Sequence, residues 1–360
     1  MKMLFVMPIM KYSGAPKMMA KVANWFAESG EEVKVLTFLD PEITQKLHEN
    51  IKTDCLNYKR KKGKIGLVSD YYNLRKQIIN YVLKDKPDVL MTFGDIFSTM
   101  ALKTLKNKGI CTIVSERADP SGGGVIARYR RCAFANASGL VFQTEGAKNC
   151  FSQKVQDKGF VIPNPVAVSD VECVPYENRE KKIVSVGRFD FNQKRQDLLI
   201  EAFAEVHKKF SDYKLVFYGD GTDLEKAKNM ATEKGLSDCI EFAGAVSPIE
   251  DYIKDASLLV LPSDFEGIPN AVIEGMNMKI PVVSTDCRPG GARLLLGDDE
   301  FGLICPIGDA KALSEKMICA LSNPQEMFLM SDKAKESLSR FKPDVIADMW
   351  KSAVNQIKKN

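Results

Sequence analysis

Histidine is nearly missing from this chain: there are two in 360 residues, His48 and His207, and neither lies in a recognisable motif. That removes a histidine-built metal centre and a histidine general base from the options. The nine cysteines are scattered, with no Cys-x-x-Cys pair and no metal-finger spacing. Such a count fits buried thiols in a reducing cytoplasm rather than a disulfide framework. No apolar run reaches eighteen residues, so no segment reads as a membrane span. The opening Met1–Met10 is short and runs straight into a helix signal, as a first core strand does and a signal peptide does not. No strand ends in a paired aspartate of the kind that holds a catalytic divalent ion, and Asp298-Asp-Glu300 reads as a solvent-facing turn among glycines. No Gly-x-Gly-x-x-Gly follows a strand, which sets aside a dinucleotide-dependent dehydrogenase. The basic runs lack both a recognition motif and interleaved aromatics, so nucleic acid is not the expected partner.

What remains is an ordinary globular composition, 45% hydrophobic and 27% charged, on a chain long enough for two domains with separate cores. Short apolar runs at Met3–Met7, Val33–Thr37, Val89–Thr92, Thr112–Val114 and Leu140–Phe142 alternate with helical stretches. Alternation of this kind predicts a parallel, doubly wound α/β sheet. Ile183–Val186, Tyr213–Phe217, Ile240–Phe242, Ser257–Leu261 and Pro281–Thr285 repeat the pattern further along. Charge is divided unevenly. Up to Pro165 there are 26 Lys+Arg against 15 Asp+Glu, and beyond it 25 against 32. Lys59-Arg-Lys-Lys-Gly-Lys64 and the group Arg128, Arg130, Arg131 are the densest basic clusters. They suit a solvated face, an anionic membrane surface or a phosphorylated acceptor.

Two strand-to-helix loops carry the chemistry. After Ser257–Leu261 the chain turns through Glu266-Gly267 and opens a helix at Pro269, a residue suited to a first turn because its missing N–H has no helical partner there. The amides of Gly267, Ile268 and Asn270 then point toward the strand's carboxyl end with the positive end of the helix dipole, a setting for an anion. Glu266 lies on the loop and Glu274 inside the helix, placed to take a sugar hydroxyl and the two hydroxyls of a ribose. After Ile183–Val186 come Gly187 and Arg188, then Lys194. An arginine fork and a lysine point charge on such a loop match a pyrophosphate. The glycine turns Gly219-Asp-Gly221 and Ala243-Gly244 can admit a nucleotide against backbone, although a lone Gly-x-Gly also marks any tight turn. In the first half, Tyr12-Ser-Gly14-Ala-Pro16 sets a glycine just before a helix start, where amides approach a phosphate or an acceptor.

These segments resemble the family-4 glycosyltransferases, retaining enzymes of the GT-B fold. The family's Gly-Arg…Gln-Lys segment stands at Gly187-Arg188…Gln193-Lys194, and its Glu-x7-Glu segment at Glu266…Glu274. Phe217-Tyr-Gly-Asp-Gly221, Ile240-Glu-Phe-Ala-Gly244 and Ile162-Pro-Asn-Pro165 match as well. The resemblance implies two Rossmann-like domains facing each other across a cleft. Residues 1–165 would bind the acceptor, joined by a crossing C-terminal helix at 341–360, and residues 166–340 would bind a nucleotide sugar. Val345, Met349, Trp350 and Val354 give that last helix its apolar face. By the same resemblance Arg188, Lys194 and the amides from Ile268 to Asn270 hold the donor diphosphate, Glu274 the ribose and Glu266 the donor sugar. Two departures stand out. The family's Gly-Gly pair is Ser13-Gly14 here, and its histidine near the donor sugar is absent. Ser115-Glu-Arg-Ala-Asp-Pro120 looks like a variant found in polysaccharide-assembly members, which makes Glu116 and Arg117 acceptor or sugar contacts; their alternative is a loop-fixing ion pair. Ser121-Gly-Gly-Gly124 reads as a hinge or lid.

The expectation is a cytoplasmic, metal-independent, retaining transferase with no resident cofactor. It moves a hexose or N-acetylhexosamine from a nucleotide diphosphate, uridine or else guanosine, to a glycan that is lipid-linked. The basic first half would rest on the membrane face. A GT-B epimerase or hydrolase and a non-catalytic glycan-binding subunit are the alternatives.

Overall fold

The structure is a computed structural model of the chain, which describes all residues except 12, 13, 61, 62, 95–98, 118, 119, 121, 123, 124, 167–171 and 360, and the side chains of 63–68 and 125–127. The lid expected at Ser121–Gly124 and the Tyr12-Ser13 turn fall largely outside the described residues. The chain divides into two compact units, Met1–Asn164 with Asp344–Asn360, and Pro165–Pro343.

The first unit is built on a parallel sheet of seven strands: β1 (Lys2–Met7), β2 (Glu32–Thr37), β3 (Lys52–Cys55), β4 (Val89–Thr92), β5 (Cys111–Ser115), β6 (Gly139–Phe142) and β7 (Gly159–Val161). Their order is β3-β2-β1-β4-β5-β6-β7, in register from Met3 opposite Val33 on one side and Val89 on the other. All four residues of β4 and of β6 are buried, as continuous apolar runs must be when helices cover both sheet faces. Helix Gly14–Glu28 lays Met18, Met19, Val22, Ala23 and Phe26 into the core, the spacing of three and four that keeps a single face inward. It ends before Gly30, whose φ of +83° is a left-handed conformation open to glycine at little cost.

The final helix, Pro343–Lys359, belongs to this first unit from Asp344 onward. Trp350 is fully buried and stacks on Phe93 with ring centroids 6.1 Å apart. Truncating such a side chain to alanine costs about 3–5 kcal/mol. At the far end Ile357 fills the space beside Gly139, where an added Cβ would come within 2.3 Å of its side chain. Of the expected apolar face, Trp350 and Val354 are buried and Met349 packs partly buried against the core, while Val345 is exposed; Ile346, Ala347, Ala353 and Ile357 complete the inward stripe.

The second unit has six parallel strands, β8 (Glu180–Val186), β9 (Lys214–Tyr218), β10 (Ile240–Gly244), β11 (Ala256–Leu261), β12 (Val282–Thr285) and β13 (Leu303–Cys305), in the order β10-β9-β8-β11-β12-β13. Helix Gln196–Lys209 buries Leu198, Leu199, Ala202, Phe203 and Val206 against one face. Helix Asn270–Asn277 buries Val272 and Met276 against the other. The connections leaving β8 and β11, which are neighbours, therefore run to opposite faces. That reversal opens a crevice at the carboxyl ends of the two strands, where open α/β sheets receive ligands.

Candidate functional site

The loop after β8 begins at Gly187, whose amide donates to the Tyr218 carbonyl at the end of β9. Gly219 packs so closely on it that a Cβ there would stand 2.0 Å from the Gly187 carbonyl oxygen. The Gly219 amide in turn donates to the Gly244 carbonyl at 2.8 Å. Gly187, Gly219 and Gly244 thus link the ends of three successive strands through backbone alone. Arg188 projects from this rim, with 66% of its side chain exposed, and donates to Asp190 Oδ2 at 3.1 Å. A tight turn follows, in which the Asp190 carbonyl accepts from the amides of Gln193 and Lys194. Arg195, held at φ +51°, then starts the helix.

That turn is fastened to the loop after β11. Arg195 donates to both carboxylate oxygens of Asp264 and to Asp197. The Asp264 amide donates to the Gln193 carbonyl, and the Gln193 side chain donates to the Phe265 carbonyl. Lys194 reaches Glu266 Oε1 at 2.5 Å, and Ser263 donates to the same oxygen at 2.9 Å. Both charged side chains are largely withdrawn from solvent, at 21% and 11% exposure. The Lys194 stem lies over Gly187, 3.5 Å from where a Cβ would be.

The loop 263–268 is closed on its other side by the segment after β12. Glu266 donates its amide to the Arg288 carbonyl, and Arg288 donates its own to the Asp264 carbonyl. A Cβ on Gly291 would stand 1.6 Å from the Gly267 carbonyl oxygen. No side chain caps the helix start at Pro269. Among the described residues, the amides of Gly267, Ile268 and Asn270 donate to no protein group. One turn inside, Glu274 is half-buried, and its carboxylate accepts no hydrogen bond from the described residues. Burial, with a smaller contribution from Glu250, raises its carboxyl above the usual range. The crevice rim therefore carries a projecting arginine, a lysine neutralised by a glutamate, a row of free amides and an unpartnered carboxyl. Such a set can accept a diphosphate and sugar hydroxyls.

The expected site residues of the second unit, Gly187, Arg188, Lys194, Gly219, Gly244, Glu266, Gly267, Ile268, Asn270 and Glu274, all lie on these strand-end loops or the helix that one of them opens. Those of the first unit have other surroundings. Gly14 is the first residue of its helix, exposed, with no described atom within 4 Å of an added Cβ. Steric demand does not explain that glycine. Glu116 is 2% exposed and receives Arg130 Nη2 on both carboxylate oxygens at 2.5 Å. Gly94 makes room for this pair, at φ +66° and with a Cβ position only 3.1 Å from the same nitrogen. Arg117 donates to Ser115, to the Ile162 carbonyl and to Asn164 Oδ1, and its guanidinium lies 5.8 Å from the Phe93 ring and 5.3 Å from the Trp350 ring. Burial pulls it down to about 9 against the charge of Glu116. Both side chains are engaged in holding the unit together, and the alternative of a loop-fixing pair describes Glu116, although its partner is Arg130 and not Arg117.

Sequence reasoning passed over Arg195, Asp264, Ser263 and Gly291. Arg195 adjoins Lys194 and Gly291 closes a Gly-Gly pair, which were the available signals. Their contacts join segments too far apart in sequence for spacing to reveal. Among the described residues no group of acidic, histidine or cysteine side chains is arranged to hold a metal ion. No described helix is long and apolar enough to cross a membrane.

Comparison with known proteins bears on this site directly. Residues 180–323 match the family described as Glycosyl transferases group 1, a stretch that runs from β8 past β13 and includes every loop of the crevice. An uncharacterized glycosyltransferase of Haemophilus influenzae is 25% identical over 354 residues, 96% of this chain and 98% of its own. A Campylobacter jejuni enzyme named as an α-1,4-N-acetyl-D-galactosaminyltransferase acting on a diphospho-undecaprenol-linked glycan is 22% identical, with 99% of both chains covered. In three dimensions the apo lipopolysaccharide outer core galactosyltransferase WaaB superposes with a TM-score of 0.80 at 19% identity, covering 99% of each chain. The matched domain, the relatives of full length and the pair of parallel sheets establish that residues 180–323 form a domain of the group 1 glycosyltransferases and that the chain has the GT-B fold.

Proposed function

We propose that the protein is a retaining, metal-independent transferase that moves a hexose or N-acetylhexosamine from a nucleotide diphosphate, with uridine as the base, to a lipid-linked glycan in surface polysaccharide synthesis. The observation that carries this reading is the Lys194–Glu266 pair beside free helix amides. In the structure Lys194 is neutralised by Glu266. A bound diphosphate offers it a stronger anion, and Glu266, still held by Ser263, is then left to accept a hydroxyl of the donor sugar. Arg188 and the amides of Gly267, Ile268 and Asn270 add positive potential to the same group. Glu274, lacking a described protein partner, takes the ribose hydroxyls.

The chemistry is a substitution at the sugar's anomeric carbon. The bond from that carbon to the phosphate oxygen breaks, its electron pair leaving on the diphosphate. The acceptor oxygen forms the new bond on the same face, and its proton passes to a diphosphate oxygen. Charge grows on the leaving group, and Arg188, Lys194 and the amides are preorganised to meet it. The acceptor class comes from the name of the Campylobacter relative. The excess of basic residues before Pro165 suits work at a cytoplasmic, anionic membrane face.

The test is turnover of a panel of UDP- and GDP-sugars with membrane lipid extract in excess chelator, with the product's anomeric configuration read by NMR. Transfer with retained configuration is expected. Dependence on a divalent ion, inversion, or release of an epimerised or free sugar in place of a glycoside would each overturn the corresponding part.

A further inference from the structure

We infer that the first unit holds a subsite for the sugar rings of the acceptor glycan, in a cavity of about 410 Å3 between helices Gly63–Asp85, Leu102–Asn107 and Val125–Phe134. This inference rests on the transferase reading and adds a binding place that the crevice of the second unit does not provide. The volume is within the roughly 300–1,000 Å3 usual for small-molecule sites.

The lining decides the ligand class. Tyr71, Tyr72 and Tyr129 supply aromatic faces, and Arg75, Lys103 and Asn136 supply hydrogen-bond donors. Tyr71 and Tyr72 meet edge to face with centroids 5.6 Å apart, and the Tyr71 and Tyr129 side chains are hydrogen-bonded to each other, so the rings form a fixed set. Tyr72 nevertheless leaves 66% of its surface in water. Arg75 is held in place by donating Nε to the Met100 carbonyl at 3.1 Å and Nη2 to Thr104, which leaves three of its five N–H groups for a ligand. Lys103 is exposed and has no partner among the described residues.

Rigid aromatic plates beside donors suit a molecule with an apolar face and a hydroxylated rim. A pyranose has both: its C–H face lies on an aromatic ring while its hydroxyls accept from guanidinium, ammonium and amide. A lipid tail would ask for aliphatic walls, which a lining dominated by three tyrosines, Arg75, Lys103 and Asn136 does not give.

The experiment uses the full chain and a glycan microarray of di- to hexasaccharides of glucose, galactose and their N-acetylated amines. Tyr72→Ala and Lys103→Ala are the variants, since both side chains are exposed and their removal leaves the fold intact. The wild type is expected to bind a subset of the array, and each variant to bind it about tenfold more weakly, the loss of a stacked or charge-assisted contact. With an acceptor in hand, acceptor KM should rise by a similar factor while kcat and donor KM stay within twofold. Equal binding by wild type and variants, or no glycan bound by the wild type, would overturn the inference. So would Tyr72-dependent binding of anionic phospholipid vesicles in place of glycans. Thermal shift with UDP is the separate readout: failure of the wild type to bind UDP or GDP would sink the donor reading, with the cavity still judged on the array.

Discussion

Replacing Lys194 by methionine keeps the aliphatic stem across Gly187 and removes only the ammonium that meets Glu266 at 2.5 Å. Exposed ion pairs contribute about 0–1 kcal/mol, and breaking a fully buried pair costs about 3–5 kcal/mol. With 21% and 11% of the two side chains exposed, this pair lies between those limits. Glu266 also keeps its bond from Ser263, which softens the loss. A destabilisation of about 1–3 kcal/mol follows, and for a unit of this size that lowers Tm by roughly 2–10 °C. Catalysis should suffer more, because one of the groups facing the leaving diphosphate is gone: about 10²–10³-fold in kcat by comparison with the removal of a single oxyanion donor. The two effects separate in the double variant Lys194→Met/Glu266→Gln. Calorimetry should show most of the lost stability restored, since no uncompensated carboxylate remains, while nucleotide release from the donor stays at the level of the single variant or below. Recovery of turnover along with stability would mean that Lys194 acts only as a structural partner, and the argument would fail.

Arg188 gives the opposite signature. Its side chain is mostly exposed, so Arg188→Ala should leave Tm unchanged but weaken nucleoside diphosphate affinity about 10–100-fold by titration calorimetry, the value of a charge-assisted hydrogen bond; a fall in Tm without a fall in affinity would contradict this. Gly291→Ala forces a methyl against the Gly267 carbonyl, and overpacking of this kind costs about 1–3 kcal/mol. Stability and donor binding should drop together, and a variant with wild-type affinity would show that the loop's position does not matter. Glu274 has a carboxyl raised by burial and Glu250, so its contribution to stability is complete below the unfolded pKa and is lost as pH rises through the folded one. Glu274→Gln should therefore raise Tm at pH 7, with the gain shrinking toward acid, while nucleotide binding weakens; a lower Tm at pH 7 would refute the assignment.

Most of the strands that sequence revealed are buried on both faces, such as Val89–Thr92 and Ser257–Leu261, because a predominantly apolar run has no other stable place in a sheet covered by helices on both sides. Lys52–Cys55, three of whose four residues are exposed, and Gly159–Val161, half-buried throughout, are edge strands and leave no such mark. Leu303–Cys305 is buried but only three residues long, too short to separate from a loop by pattern. At the crevice, each loop was legible by itself from its glycines and charges. Their joining was not: Arg195 and Asp264 are 69 positions apart, and only the adjacency of β8 and β11 brings them together. The same limit explains Glu116, whose carboxylate looks available in sequence yet is taken by Arg130, fourteen residues on, once Gly94 lets the arginine in.

The central claim is that cations and free amides at the end of β8 and β11 receive the diphosphate of a nucleotide. Titration calorimetry of UDP against uridine, on the wild type and on Arg188→Ala/Lys194→Ala, tests it most directly. The account predicts that the wild type prefers the diphosphate by at least a hundredfold and that the double variant holds uridine as before while losing most of that preference. A preference that survives in the double variant, or affinity for uridine that falls in step with affinity for UDP, would contradict it.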